Sequence, residues 1–282
     1  MAPIFAKGGG KLKVILSRKG FDSSNGGCPS PIMPDGTLIS MPIPSKDGVQ
    51  YSDLQYNGIS YAKLLSQLNS KAVCSSCHLD PDIRDNVRTS PISGWKAAFG
   101  QANAAQGILT NAKVEKGDIF LFFGWFRQTE LKNGVYKFTR KQSSNFYRHS
   151  DLQIIYGYME IGEIIKSPAQ ISKYPWHPHA SENLINNKTN ALYIPSDRLS
   201  LNPELPGYGT LDFRTDRVLT LKGQKRATWI AYPFLTPEHV YGNKKNSAKG
   251  EGLYYAGIWQ ELVINESEGL IDWVCDILSN KL

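Results

Sequence analysis

Two short segments concentrate the side chains that acid/base and anion chemistry need. In residues 17–23, Ser17, Arg18, Lys19, Asp22 and Ser23 surround Gly20 and Phe21 directly after an aliphatic run. There Arg18 can grip a phosphate through its forked guanidinium, Lys19 can serve as charge clamp or nucleophilic amine, and Asp22 as general base, with Ser17 and Ser23 as polar contacts to a substrate. A solvated turn capped by Asp22 is the alternative. The second segment, residues 78–84, holds His78, Asp80, Asp82 and Arg84 around Pro81. If it is extended, alternation points His78, Asp80 and Asp82 the same way, which suits acid/base catalysis or a hard divalent cation such as Mg²⁺, with Arg84 as a further substrate contact. A proline-stiffened loop with surface charges is the alternative.

Cys74-Ser75-Ser76-Cys77-His78 has the spacing of a c-type haem attachment, which belongs to exported or oxidising compartments. The first residues lack the apolar stretch and small-residue cleavage site of a signal peptide, so no haem is expected, and the chain is expected in the cytoplasm with free thiols. Zinc would have three ligands here, but Cys28 and Cys275 stand alone and no second pair follows. His177 and His179 sit in a proline-rich stretch and read as part of a loop that caps a pocket. No Walker loop, glycine-rich dinucleotide fingerprint, nucleophile elbow or zinc-deaminase signature occurs.

The elements that must position these groups follow from hydrophobic period and turn chemistry. Residues 13–17 predict a strand that delivers the 17–23 loop, and residues 29–44 a hairpin turning at Pro34-Asp35-Gly36. Ser60 offers an N-cap to a helix through Leu64, Leu65 and Leu68, and residues 101–112 predict a second helix that carries Gln106 as a candidate substrate contact. After a turn at 116–118 come the most strand-like segments, 119–127 and 152–166, the latter able to bend at Gly157 and Gly162. Asn133-Gly134 predicts a hairpin with 135–139 as its return strand. Residues 167–206 read as an elaborated Pro/Asn-rich insertion with one strand at 191–194. Strands at 218–221, 228–232 and 259–264 and a helix at 270–278 complete one α+β domain over residues 1–282.

Lys and Arg outnumber Asp and Glu by 32 to 25, a formal charge of +7 that favours an anionic partner such as nucleic acid. Basic groups fall at Lys137, Arg140, Lys141 and Arg148 and at Lys222, Lys225 and Arg226, placed to flank one groove. The apolar runs at 119–123 and 154–158 are far short of the roughly 20 residues of a membrane span.

A helix, a Gly-Asp turn, an aromatic-rich apolar strand and then the strand at 153–165 together resemble the PUA-like superfamily of ASCH, EVE and YTH domains. The resemblance implies a small β-barrel core at about residues 101–166 plus C-terminal strands. It also implies a pocket that takes a flipped base against Phe123 and Trp125, with Arg127 and Gln153 for polar contact. Over its full length the chain resembles the nucleotide modification associated domain 3 family. The residues that carry this are 14–22, Gly26-Gly27, Pro29-Ser30-Pro31, 78–82, Ala104-Ala105-Gln106, 117–127, 151–164 and 259–262. That resemblance implies association with modified DNA bases or nucleotides in a phage or anti-phage context, either as an enzyme or as a non-catalytic reader. It does not fix a cofactor beyond a possible divalent metal.

Overall fold

The protein is represented by a computed structural model that describes residues 11–71, 75–139, 144–242, 247–257 and 259–279; Cys74, Arg140 and Lys141 lie outside them. Six strands form the spine of a nine-stranded sheet: β1 (Lys13–Arg18), β2 (Phe99–Gln101), β3 (Ile119–Lys132), β4 (Leu152–Ile165), β5 (Ala191–Pro195) and β6 (Glu261–Asn265). They are joined in the order β6-β1-β3-β4-β5-β2. β1 runs parallel to β3, and β6 and β4 pair antiparallel to their neighbours. The sheet curls into a half-barrel, but β2 and β6 do not pair with each other among the described residues.

β3 explains the curl's thick core. Its first five residues are apolar without alternation because both faces are covered. Ile119, Leu121 and Phe123 pack with Trp229, Tyr255 and the helix Leu270–Leu278, while Phe120 and Phe122 pack on the other face with Phe99 and Tyr193. Each fully buried aromatic of this kind contributes roughly 1.5–3 kcal/mol. β4 departs from simple pairing where its glycines were expected to bend it. The register shifts between Ile155 and Gly157 against β3, and between Ile161 and Glu163 against β5.

The three predicted helices are present as α1 (Tyr61–Leu68), α2 (Asn103–Asn111) and α3 (Leu270–Leu278), and single-turn helices stand at Phe146–His149, Pro168–Ile171 and Glu182–Ile185. Ser60 Oγ accepts from Lys63 N at 3.2 Å and caps α1. α2 begins later than residue 101 because Gln101 ends β2 in pairing with Ala191. The predicted strand at 218–221 is a correction: Val218 and Thr220 make only isolated bridges, to Ile154 and Trp229. Residues 167–206 include β5, paired between β4 and β2, so part of that stretch belongs to the sheet. The architecture is mixed α+β, mostly strands. Among the described residues no helix is long and apolar enough to cross a membrane.

Candidate active site

β1 ends by delivering Lys19 into the interior. Lys19 N donates to Phe123 O at 2.9 Å, and Gly20 then turns the chain at φ 79°. A side chain at Gly20 would also collide with Ser40 Oγ, 2.5 Å from the ideal Cβ position. The Lys19 ammonium lies 3.3 Å from Glu261 Oε1 and 4.3 Å above the Phe99 ring. Glu261 stands opposite Ser17 in the β1/β6 register, and its Oε1 also accepts from Ser17 Oγ at 2.9 Å and Gln101 Nε2 at 2.6 Å. Its Oε2 has no partner. Burial pushes the Glu261 carboxyl up, and Lys19, Ser17 and Gln101 pull it part of the way back.

The strand Ser76–His78 brings up the second group. Asp80 Oδ1 accepts from Gly100 N at 2.8 Å and faces His177 Nε2 at 3.3 Å, a contact too bent for an aligned hydrogen bond. Its Oδ2 lies 4.0 Å from His78 Nε2. Burial alone would raise Asp80, but His177, Lys19 and His179 overcome it and hold the carboxyl far below the usual range. His179 reaches the group through the short 3₁₀ turn Pro178–Ala180. Its Nδ1 stands 2.6 Å from Asn190 Oδ1, while Asn190 Nδ2 donates to His179 O at 2.9 Å. Burial depresses His179 to about 4, the Asp80 charge opposing, and burial likewise lowers His78.

Lys19, His78, Asp80, Gln101 and His179 line one cavity of about 300 Å³ together with Arg18 and Asp22. A second cavity of about 300 Å³ adjoins it, sharing Arg18 and Asp22 and lined further by Ser23, Trp125, Gln153 and Arg226. Asp22 organises the loop between them: Oδ1 accepts from Ser24 N and Asn25 N at 2.8 and 2.7 Å, and Oδ2 pairs with Arg18 at 3.3 Å. In the second cavity the Arg226 guanidinium lies 3.9 Å over the Trp125 ring and donates to Ser23 Oγ at 3.2 Å. Trp125 Nε1 and Gln153 Oε1 are buried without partners.

The family model for nucleotide modification associated domain 3 matches residues 13–265. The chain belongs to that family. Every residue that lines the two cavities of this nucleotide modification associated domain lies within the matched stretch. No curated protein and no solved structure matches the chain.

Of the side chains singled out in the sequence, Arg18, Lys19, Asp22, His78 and Asp80 meet at the first cavity, and Ser23, Trp125 and Gln153 at the second. Ser17 is sealed behind the first as a partner of Glu261. The others lie away from these two cavities. Asp82 does not point with His78 and Asp80, because the strand ends at His78 and Asp82 bridges to Ala98. Its carboxylate is held by Arg88 at 3.1 and 2.6 Å and by Trp95 Nε1 at 2.9 Å. Phe123 is fully buried against Trp229 and Tyr255. Gln106 is buried, accepting from Tyr193 and donating to Thr110. Arg127 pairs with Asp151 at 2.7 Å, and Arg84 donates to Leu38 O and faces a separate groove with Tyr56 and Tyr208. Cys77 is a buried thiol donating to Val49 O at 3.4 Å, so it does not join His78 as a ligand.

Glu261, Gln101 and Asn190 had no assigned role in the sequence, Arg226 was read only as one of the basic residues flanking a groove, and His177 and His179 were read as pocket cover. One signal was available for Glu261: a lone carboxylate inside the apolar strand run that ends in Leu262, Val263 and Ile264.

Proposed function

We propose that the protein is an enzyme that processes modified bases or nucleotides of DNA, in a phage or anti-phage setting, working in the cavity bounded by Lys19, His78, Asp80 and His179. Convergence is the observation that carries this. Lys19, Asp80 and His179 come from three distant stretches of chain and line one cavity, with Glu261 from a fourth buried behind Lys19. Gathering ionisable groups out of water opposes folding, so such a cluster points to chemistry more than to stability. Family membership supplies the association with nucleotide modification. Lys19, clamped by Glu261, stabilises negative charge that develops on the bound substrate, and Arg18, set between the cavities by Asp22, takes a phosphate. The second cavity holds the base side, with Gln153 and Trp125 offering an acceptor and a donor. The curl of the sheet supports a PUA-like ancestry for this arrangement, and the net charge of +7 supports a nucleic-acid partner.

The second reading is a reader that binds a modified base at Trp125 without turning it over. The unpartnered Trp125 Nε1 and Gln153 Oε1 favour it; Arg226, stacked on the indole, counts against it because a base would need that face. The protein is incubated with DNA carrying modified bases and with the corresponding nucleotides, and the nucleosides are resolved by mass spectrometry. Conversion that is lost in Asp80→Asn is the expected result. Binding without conversion, lost in Trp125→Ala and kept in Asp80→Asn, establishes the reader instead.

A further inference from the structure

The geometry points to a metal centre inside this cavity: we propose that His78, Asp80 and His179 bind one divalent transition-metal ion. The inference rests on reading the cavity as an active site and names the ion it holds. One donor atom from each of the three lies within 4.8 Å of the other two. Ligand distances of roughly 2.0–2.2 Å require the three to close by a fraction of an ångström to about one ångström, within reach of imidazole and carboxylate rotation.

The hydrogen bonds leave the right atoms free. Asn190 is oriented by donating to His179 O, so its Oδ1 faces His179 Nδ1 and demands a proton there. The lone pair of His179 is therefore on Nε2. Asp80 Oδ1 accepts from Gly100 N and faces His177 Nε2, and Oδ2 lies on the side where His78 Nε2 stands. His177 Nδ1 accepts from His179 N, so its own ring proton sits on Nε2 and faces Asp80. An imidazole fixed by an amide oxygen and a carboxylate fixed by a backbone amide and a second imidazole are what surround metal ligands elsewhere. A purely structural network has no need to keep the acceptor positions of Asp80 and His179 open beside the His78 ring.

The backbone is also shaped for it. A Cβ on Gly100 would lie 2.2 Å from His179 Cδ2, so β2 carries its glycine where the ring must pass. Two nitrogens and one carboxylate oxygen select iron(II), manganese(II), cobalt(II) or zinc(II) over magnesium or calcium. The remaining coordination positions face the cavity, open to water or substrate.

The test uses the full chain, stripped with chelator and titrated separately with cobalt(II), iron(II), manganese(II) and zinc(II). Binding is followed by calorimetry and bound metal by elemental analysis. One ion per chain is expected, with cobalt(II) giving visible ligand-field absorption. Affinity should fall by at least about 100-fold in Asp80→Asn and in His179→Gln, fall about 10- to 100-fold in Asn190→Ala, and stay unchanged in His239→Gln. Circular dichroism of each variant confirms the fold, and the wild-type titration stands even where a variant fails to fold. Absence of binding for all four metals in folded wild-type protein overturns the proposal, as does binding that survives Asp80→Asn with His179→Gln. Turnover is a separate readout. Metal bound by a protein that converts nothing keeps the ion and sinks the enzyme reading, and conversion by metal-free protein does the reverse.

Discussion

The ammonium of Lys19 stands 3.3 Å from Oε1 of Glu261, with the two side chains only 5% and 0% exposed. Removing one member leaves the other charge sealed in the interior, at a cost of about 3–5 kcal/mol. Lys19→Met is expected to lose about that much stability in chemical denaturation, and Lys19→Met combined with Glu261→Gln to recover part of it. A loss in the double variant equal to the sum of the losses in Lys19→Met and Glu261→Gln would show that the two residues are not coupled.

Acid should loosen the metal-free protein before its carboxylates titrate. His179 is depressed to about 4 from an ordinary 6.5, so the folded state resists a proton that the unfolded chain accepts. The stabilising effect is complete above about pH 6.5 and is lost progressively as pH falls towards 4, roughly 3 kcal/mol over the window for this one group. His78, also lowered, adds in the same direction. Asp80, depressed as an acid, extends the loss further down as pH falls through its folded value. Melting temperature recorded from pH 7.5 to 4 should fall with that profile, and His179→Gln should flatten it.

Asp82 is expected to behave as a structural residue. Its two contacts with Arg88 and one with Trp95 are buried, so Asp82→Ala should cost about 3 kcal/mol while leaving metal binding at the cavity unchanged. A folded Asp82→Ala protein that no longer binds metal would return Asp82 to the working groups.

Gly100→Ala probes the cavity through a single methyl group. The added carbon overlaps the His179 ring, so that ring should shift, at about 1–3 kcal/mol of overpacking. The histidine ring resonances in ¹⁵N-edited NMR report it directly. Unmoved His179 signals would mean that β2 yields instead.

Much of the fold was legible because local chemistry and final structure agree. Asn133 and Gly134 take φ values of 50° and 76°, the left-handed pair a tight hairpin requires, and α3 spans the predicted 270–278. The site was legible only where its residues crowd together in sequence, as Arg18, Lys19 and Asp22 do. Asp82 does not share the orientation expected of it, because the alternation ends with the strand at His78. Phe123 and Trp125 share a face by alternation, yet helix α3 and Trp229 belong to the cover over one of them, and only Trp125 reaches a cavity. Glu261 enters through pairing of β6 with β1, and His179 through a 3₁₀ turn far along the chain. Neither neighbourhood is written in a local pattern.

The register that sets Ser17 opposite Glu261 joins residues 244 positions apart. During synthesis Lys19 emerges long before Glu261, so β1 waits through the translation of every intervening residue with a lysine whose buried counter-charge is not yet made. Nascent chains halted before residue 261 therefore carry every histidine of the proposed centre and still lack the finished cavity, which makes its assembly a marker that synthesis has passed β6.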